Sequence, residues 1–263
     1  MVDIHHHLLP GLDDGSKNLE TSLAMAKMAA ADGITHIVAT PHANSRYPFD
    51  PARNAELLAE LQQTLNDDGV AITLGSGCDF HLSYDNLQRA YNEPHYFAIN
   101  NHGYLLVELP DYSIPKQLDD SFYELRVAGA EPILTHPERN PVLQKDSSRM
   151  EDWLRQGMLV QVTTSSVLGQ MGPVAERMAH RMLANRWVHF LATDAHNLKS
   201  RPPVMKDAYD VVAKKYGRDY AERICVQNPL AVFEGRQLPP QEEPLKLFDQ
   251  KLSFFQRIFG TSH

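Results

Sequence analysis

Seven short β-rich runs recur along the chain, and six of them stop at a histidine or an acid. The first, residues 2–7, ends in His5-His6-His7, and Asp13-Asp14-Gly15 follows it. Residues 35–40 lead into Pro41-His42, and residues 71–74 lead through Gly75-Ser76-Gly77 and Cys78 to Asp79. Residues 104–107 finish at Glu108, residues 132–135 at His136, and residues 189–193 at Asp194-Ala195-His196. The remaining run, residues 159–163, ends at Ser165-Ser166 and offers no strong ligand. Apolar positions at helical spacing fill most of the gaps. Ser16 is placed to cap a helix carrying Leu19, Leu23, Ala26 and Ala30, closed by Gly33. Asp50-Pro51 opens another through Leu57, Leu58, Leu61 and Leu65, with Gly69 beyond its end. Further helices are expected over residues 114–128, 148–156, 173–186 and 203–216.

Strands that alternate with helices, joined by right-handed crossovers, build a parallel sheet. This many units in 263 residues suit one closed α/β barrel better than two domains. In such barrels the working groups gather at the C-terminal strand ends. His5, His7, His42, Asp79, Glu108, His136, Asp194 and His196 would then meet at one face. Side chains alternate along a strand, so His5 and His7 share a side while His6 faces away and packs. An expression tag would be a longer pure histidine run outside the fold, which this cluster is not.

The chain is 43% hydrophobic, enough for a sizeable core, and its formal charge of −8 argues against a general nucleic-acid binder. Cys78 and Cys225 are too few for a disulfide framework, which fits a reducing compartment. No apolar run reaches the roughly eighteen residues needed to span a bilayer, and a first strand opening at residue 2 leaves no room for a signal peptide. A soluble, cytoplasmic protein is expected. The barrel is assigned to residues 1–240 and an amphipathic tail to residues 241–263. In the tail, Leu245, Phe248, Leu252, Phe255 and Phe259 recur at helical spacing, a stripe read as packing against the barrel, with docking to a subunit or membrane partner as the alternative.

Eight strand-end ligands, with Asp14 from the first loop, exceed what one tetrahedral metal needs. Two ions sharing a bridging carboxylate, and a third taking the remainder, would use them. Imidazole and carboxylate without thiolate suit manganese, iron or zinc. Cys78 adjoins Asp79, so its side chain should point away as a small buried residue.

The segment Asp3-Ile4-His5-His6-His7-Leu8-Leu9-Pro10-Gly11-Leu12-Asp13-Asp14-Gly15 resembles the opening motif of the polymerase-and-histidinol-phosphatase (PHP) superfamily. More narrowly it is similar to the bacterial manganese-dependent protein-tyrosine phosphatases of capsule and exopolysaccharide synthesis. Ala39-Thr40-Pro41-His42, Thr135-His136-Pro137-Glu138-Arg139 and Thr193-Asp194-Ala195-His196-Asn197 extend the resemblance, in the same order, over residues 2–235. It implies a distorted (β/α)7 TIM-like barrel, the PHP fold, holding three divalent metal ions, with Mn2+ expected and Fe or Zn as alternatives. Carried over by motif, the first metal would take His5, His7, Asp79 and Asp194. The second would take Asp79, Glu108 and His136, and the third Asp14, His42 and His196. The family commonly has glutamate where this chain has Asp79, so a shorter carboxylate must bridge. His6 falls where cysteine is common in relatives.

A metal-bound water has its pKa lowered toward about 7, which yields hydroxide at neutral pH. Arg139 and Arg201 follow the His136 and His196 motifs closely and could fork onto phosphate, as the resemblance to the family's phosphate-binding arginines implies. His42 is counted with them as catalytic, and Arg46, in the loop after His42, is a further candidate for substrate contact. The general acid stays open, since a phenol of pKa about 10 needs protonation less than an alkyl alcohol. Cysteine-phosphatase chemistry requires arginine six positions after the cysteine, but those positions hold Tyr84 and Ala231. There is no P-loop pattern, and Gly75-Ser76-Gly77 reads as a strand-end bend. The leading expectation is hydrolysis of phosphotyrosine on protein, on the tail of a bacterial tyrosine kinase that controls polysaccharide export. The alternatives are a small-molecule phosphomonoesterase such as histidinol phosphatase, and a non-catalytic phosphopeptide-binding metalloprotein. A PHP-type exonuclease is disfavoured, because an acidic chain offers no evident groove for a polyanion.

Overall fold

The computed structural model describes residues 1–247. Its strand segments, in chain order, are β1 (Val2–His6), β2 (His36–Ala39), β3 (His42–Ala43), β4 (Thr73–Ser76) and β5 (Asp79–His81). They continue with β6 (Tyr104–Glu108), β7 (Glu131–Thr135), β8 (Leu159–Thr163) and β9 (Phe190–Ala192). Every pairing is parallel, in the orders β1-β2-β4 and β3-β5-β6-β7-β8-β9. These are two arcs of one barrel. Strand β2 continues into β3 across Thr40-Pro41, where proline lacks a donor for the ladder, and β4 continues into β5 across Gly77-Cys78. Gly77 N donates to Ala39 O and Asp79 N to Pro41 O, both at 3.0 Å, so pairing persists through the double break. Counted as continuous staves, the described strands are seven, and the distorted (β/α)7 barrel expected from the sequence is the fold that forms.

The last seam joins β9 to β1, and it is thin. One bridge, His6 to Ala195, is supported by His7 N to Ala195 O at 2.9 Å and Asp194 N to His5 O at 2.8 Å. Asp3 reinforces it from a fully buried position, accepting from the Thr193 backbone N–H at 3.0 Å and the Thr193 hydroxyl at 2.5 Å. Burial pushes the Asp3 carboxyl up to about 6. Between Asp3 and His6 the β1–β2 register shifts, an irregularity that resets the alternation of side chains. Ile4 therefore joins an apolar interior cluster with Val2, Val38, Leu106, Ile133 and Phe190, while His5 reaches the polar mouth.

Helices cover the outside, among them Leu19–Ala31, Pro51–Asp67, Leu118–Ala128, Ser148–Arg155, Pro173–Ala184 and Lys206–Tyr216. Asp50 caps the second of these with Pro51 in its first turn, as its sequence indicates. Three expectations need correction. Asn18, not Ser16, caps the first helix, because Ser16 is buried and its hydroxyl bonds Ser22 and the Asn18 carbonyl. The third stave begins at Thr73 rather than residue 71, and Gly75 and Ser76 lie within it instead of forming a bend. A Cβ on Gly75 would meet Phe233 at 2.6 Å and Asn100 at 2.7 Å, so its glycine serves close packing. The helix expected from residue 114 starts at Leu118, because Arg149 draws the Ile114 and Pro115 carbonyls outward at 2.7 and 2.8 Å.

Residues leading into the tail dock on the barrel. Trp187 Nε1 donates to Leu245 O at 3.0 Å, Arg155 Nε donates to Leu247 O at 2.7 Å, and Leu247 is buried. Phe248, Leu252, Phe255 and Phe259 lie outside the described residues.

Replacing Asp3 by alanine should cost about 2–3 kcal/mol in urea unfolding, since it strands the buried donors of Thr193. Folded Asp3 holds its proton up to about 6 against an ordinary 3.8, so folding binds that proton more tightly and its contribution falls as pH rises through this interval. Asp3→Asn should accordingly gain stability relative to wild type between pH 4 and pH 6, which matched denaturation curves will show.

Candidate metal centre

The C-terminal ends of the staves bring all nine expected ligands to one mouth. His5 Nε2 lies 3.4 Å from Asp194 Oδ1 and 3.7 Å from Asp79 Oδ2, and His7 Nε2 lies 3.3 Å from Asp194 Oδ1. His42 Nδ1 faces Asp79 Oδ2 at 3.1 Å and Glu108 Oε2 at 3.7 Å, while its Nε2 faces Asp14 Oδ1 at 3.4 Å. His136 Nε2 stands 3.8 Å from Glu108 Oε1, and His196 Nε2 stands 3.5 Å from Asp14 Oδ1. Two of these groups are aimed by strained backbone: His136 has φ 33° and Asp194 φ 52°, left-handed values that a side chain with a Cβ adopts at a cost. Each turns sharply off its strand.

Among the described residues the ligand atoms fall into four overlapping neighbourhoods, each within 4.8 Å. They are His5-His7-Asp194, His5-Asp79-His136, His42-Asp79-Glu108 and His7-Asp14-His42-His196. Asp79 sits in two of them, the position a bridging carboxylate needs. His42 and His7 each join two groups, so the side chains form one continuous cluster rather than separate sets.

The cluster fits divalent metal. His5 Nε2, His7 Nε2, His42 Nδ1, His196 Nε2 and both Asp79 oxygens are buried without a hydrogen-bond partner. Buried polar atoms are rarely left so, and here they converge. Burial works against ionising Asp79 and Asp194, yet His5 and its neighbours hold both well below the usual carboxylate range. Burial and the nearby Asp79 charge raise Glu108. Burial, then the Arg139 charge, pushes His136 down to about 3, which leaves a neutral imidazole with a lone pair to give.

Two groups that reading the strand ends did not single out orient the ligands. Asp13 Oδ2 stands 2.7 Å from His7 Nδ1 and accepts from His42 N at 3.0 Å. Gln161 Oε1 stands 3.0 Å from His5 Nδ1. An amide oxygen only accepts, so Gln161 places the His5 proton on Nδ1 and frees Nε2 for the cluster. Burial would lower His7, but Asp13 and Asp194 outweigh it and lift the imidazole to about 10. The signals were available: an acid beside Asp14, and a polar residue inside the otherwise apolar β8 run.

Arg139 Nη1 and Arg201 Nη2 both donate to Asp194 Oδ2, which places two guanidinium groups at the mouth. Arg46 is exposed, with its guanidinium 5.0 Å from the Tyr47 ring centroid. His6 is buried with both ring nitrogens unpartnered, and burial followed by the His7 and His5 charges pushes it down to about 3, a packed neutral ring as expected. Cys78 is buried with Sγ 3.6 Å from Phe97 O, away from the ligand groups.

The family model for capsular polysaccharide synthesis, CpsB/CapC, matches residues 1–234. The chain is 33% identical over 246 residues to CapC of Staphylococcus aureus, covering 92% of this chain and 96% of CapC. It is 30% identical over 220 residues to the tyrosine-protein phosphatase YwqE of Bacillus subtilis, covering 83% and 86%. A chain from the crystal structures of YwqE and of CpsB from Streptococcus pneumoniae, described as unique metal-dependent tyrosine phosphatases, superposes with a TM-score of 0.86. That match has 27% identity and covers 93% of this chain and 98% of the other. A phosphotriesterase homology protein from Escherichia coli, 11% identical with a TM-score of 0.54, covers 88% of this chain and 98% of its own, and shares the fold.

Asp13→Asn and Gln161→Leu should each weaken Mn2+ binding by about 10- to 100-fold in calorimetric titration, with circular dichroism unchanged. Unaltered affinity in both would show that the two groups do not orient the ligands.

Proposed function

The chain belongs to the CpsB/CapC family of capsular polysaccharide synthesis, and on that premise we propose that it is a metal-dependent protein-tyrosine phosphatase. One observation carries the reading: buried, unpartnered imidazole and carboxylate atoms lie beside two arginines that share one carboxylate oxygen. We assign three divalent ions, Mn2+ first, to His5, His7, Asp14, His42, Asp79, Glu108, His136, Asp194 and His196. Such ions supply Lewis acidity and a water of lowered pKa.

The remaining work falls to the chain's own groups. Arg139 and Arg201 are already gathered on Asp194 Oδ2, so an arriving phosphate finds two planar donors without having to assemble them. Asp194 holds their charges until then. His42 spans two ligand neighbourhoods, which ties the Asp79-Glu108 side of the mouth to the Asp14-His196 side. A phenolic leaving group leaves with little help from an acid, consistent with a cavity built for charge neutralisation. Arg46, exposed at the rim, is assigned to contact with the substrate protein. That protein is proposed to be a bacterial tyrosine kinase, dephosphorylated on its tail. Residues 1–240 would carry the activity and residues 241–263 form an amphipathic appendage. Two unpaired, buried cysteines suit action in the cytoplasm.

The test compares release of phosphate from a phosphotyrosine peptide and from histidinol phosphate. Preference for the peptide, lost on chelation and restored by Mn2+, is the expected result, and preference for histidinol phosphate would overturn the reading. His42→Ala and Asp194→Ala should each lower kcat at least about a hundredfold, His42→Ala with little change in unfolding midpoint.

A further inference from the structure

A cavity of about 380 Å³ opens beside the metal mouth, and the ligand cluster does not use it. Its lining includes Asn44, Phe49, Asn86, Arg89, Tyr96 and Phe97. Asn44 is two residues past His42, no more than about 7 Å of extended chain. Asn86 donates its side-chain amide to the carbonyls of Ala43 at 2.7 Å and His81 at 2.9 Å, one residue past His42 and two past Asp79. The cavity is thereby fixed to the two staves that carry those ligands.

One loop borders both mouth and cavity. Asn44 Oδ1 accepts from Arg46 N at 2.9 Å and Tyr47 N at 3.0 Å, and Asn44 N donates to Tyr47 O at 3.0 Å, which closes residues 44–47 into a tight turn. On one side the Tyr47 ring lies parallel to His42, centroids 5.9 Å apart. On the other, Phe49 meets Tyr96 edge-on at 5.7 Å and Phe97 at 5.4 Å. Tyr96 meets Phe97 edge-on at 4.8 Å, and the Arg89 guanidinium lies 4.2 Å from the Tyr96 centroid.

We infer that this cavity is a specificity subsite for an aromatic side chain two or three residues from the phosphotyrosine of the same peptide. The inference rests on the phosphatase reading above. Between polar groups that include Ser83 and Asp85, its walls present the rings of Phe49, Tyr96 and Phe97, which an aromatic ring prefers to meet in edge-to-face or offset geometry, and Arg89 is held by Glu93 at 3.1 Å and by the Tyr96 face, which fixes that wall. The volume stands at the low end of the roughly 300–1,000 Å³ typical of ligand pockets, a size for one side chain rather than a folded surface. An extended peptide advances about 3.3 Å per residue, so a residue two or three positions along clears that loop.

The test uses two phosphotyrosine peptides, one with alanine and one with phenylalanine at positions two and three on either side. Wild-type protein should give a kcat/KM about tenfold higher for the phenylalanine peptide, an increment of the size that burying a ring in a partly open site supplies. Ser45→Trp, which places bulk at the exposed rim, and Tyr96→Ala, which removes a wall, should each bring the ratio of the two peptides near one. The ratio is read within each variant, so a general loss of activity does not obscure it. Release from both peptides with no wild-type preference, or a preference that survives in Ser45→Trp, overturns the subsite alone. Release from neither peptide overturns the phosphatase reading and the subsite with it.

Discussion

The mouth of the barrel is organised around the carboxylate of Asp194. One oxygen faces His5 and His7, and the other accepts from both Arg139 and Arg201. Its backbone nitrogen bonds His5 O across the β1–β9 seam, and its φ of 52° turns the side chain inward. A buried carboxylate survives only where opposite charge and donors compensate for lost water. Here that compensation is also the site. Two imidazoles and two guanidinium groups are positioned by the requirement to neutralise one acid, and the phosphate site proposed above draws on those same guanidinium groups.

Fold and chemistry are coupled most tightly at that same seam. The other neighbouring staves pair through ladders of several residues, but β1 and β9 are joined by one bridge, a few backbone bonds and the buried Asp3–Thr193 contact. The register shift in β1 lets Ile4 complete the apolar floor while His5 enters the polar mouth one residue later. A regular strand would have had to choose between them. Irregularity on the β2-facing edge of this same strand is therefore part of how the first two imidazoles come to share a cavity.

Much of this was legible in the chain. Short β-rich runs leading to His42, Asp79, Glu108 and His136 pointed to the barrel and its working face, because strand ends in such a barrel converge whatever the connecting helices do. The features that escaped are those set by distant partners. Gln161 becomes significant when β8 lies opposite His5, a contact between residues 156 apart. Gly75 reads locally as a bend, but Asn100 and Phe233 crowd it and keep it in the strand. Likewise Ser16 has the chemistry of a helix cap, and burial against Ser22 diverts it. Local signals named the groups, and tertiary contacts decided their use.

Asp79 illustrates how the backbone can stand in for a missing methylene. The resemblance of the sequence to PHP phosphatases implies the longer glutamate there, so an aspartate has to be brought closer by its strand. The break at Gly77-Cys78 starts β5 at Asp79 itself, and the pairing registers it directly against His42 of β3. That register sets His42 Nδ1 3.1 Å from Asp79 Oδ2, with His5 Nε2 3.7 Å from the same oxygen. Both carboxylate oxygens remain buried and without hydrogen-bond partners. Buried oxygens without a donor are costly, and an Oδ2 shared by two imidazoles is what the proposed bridging role requires.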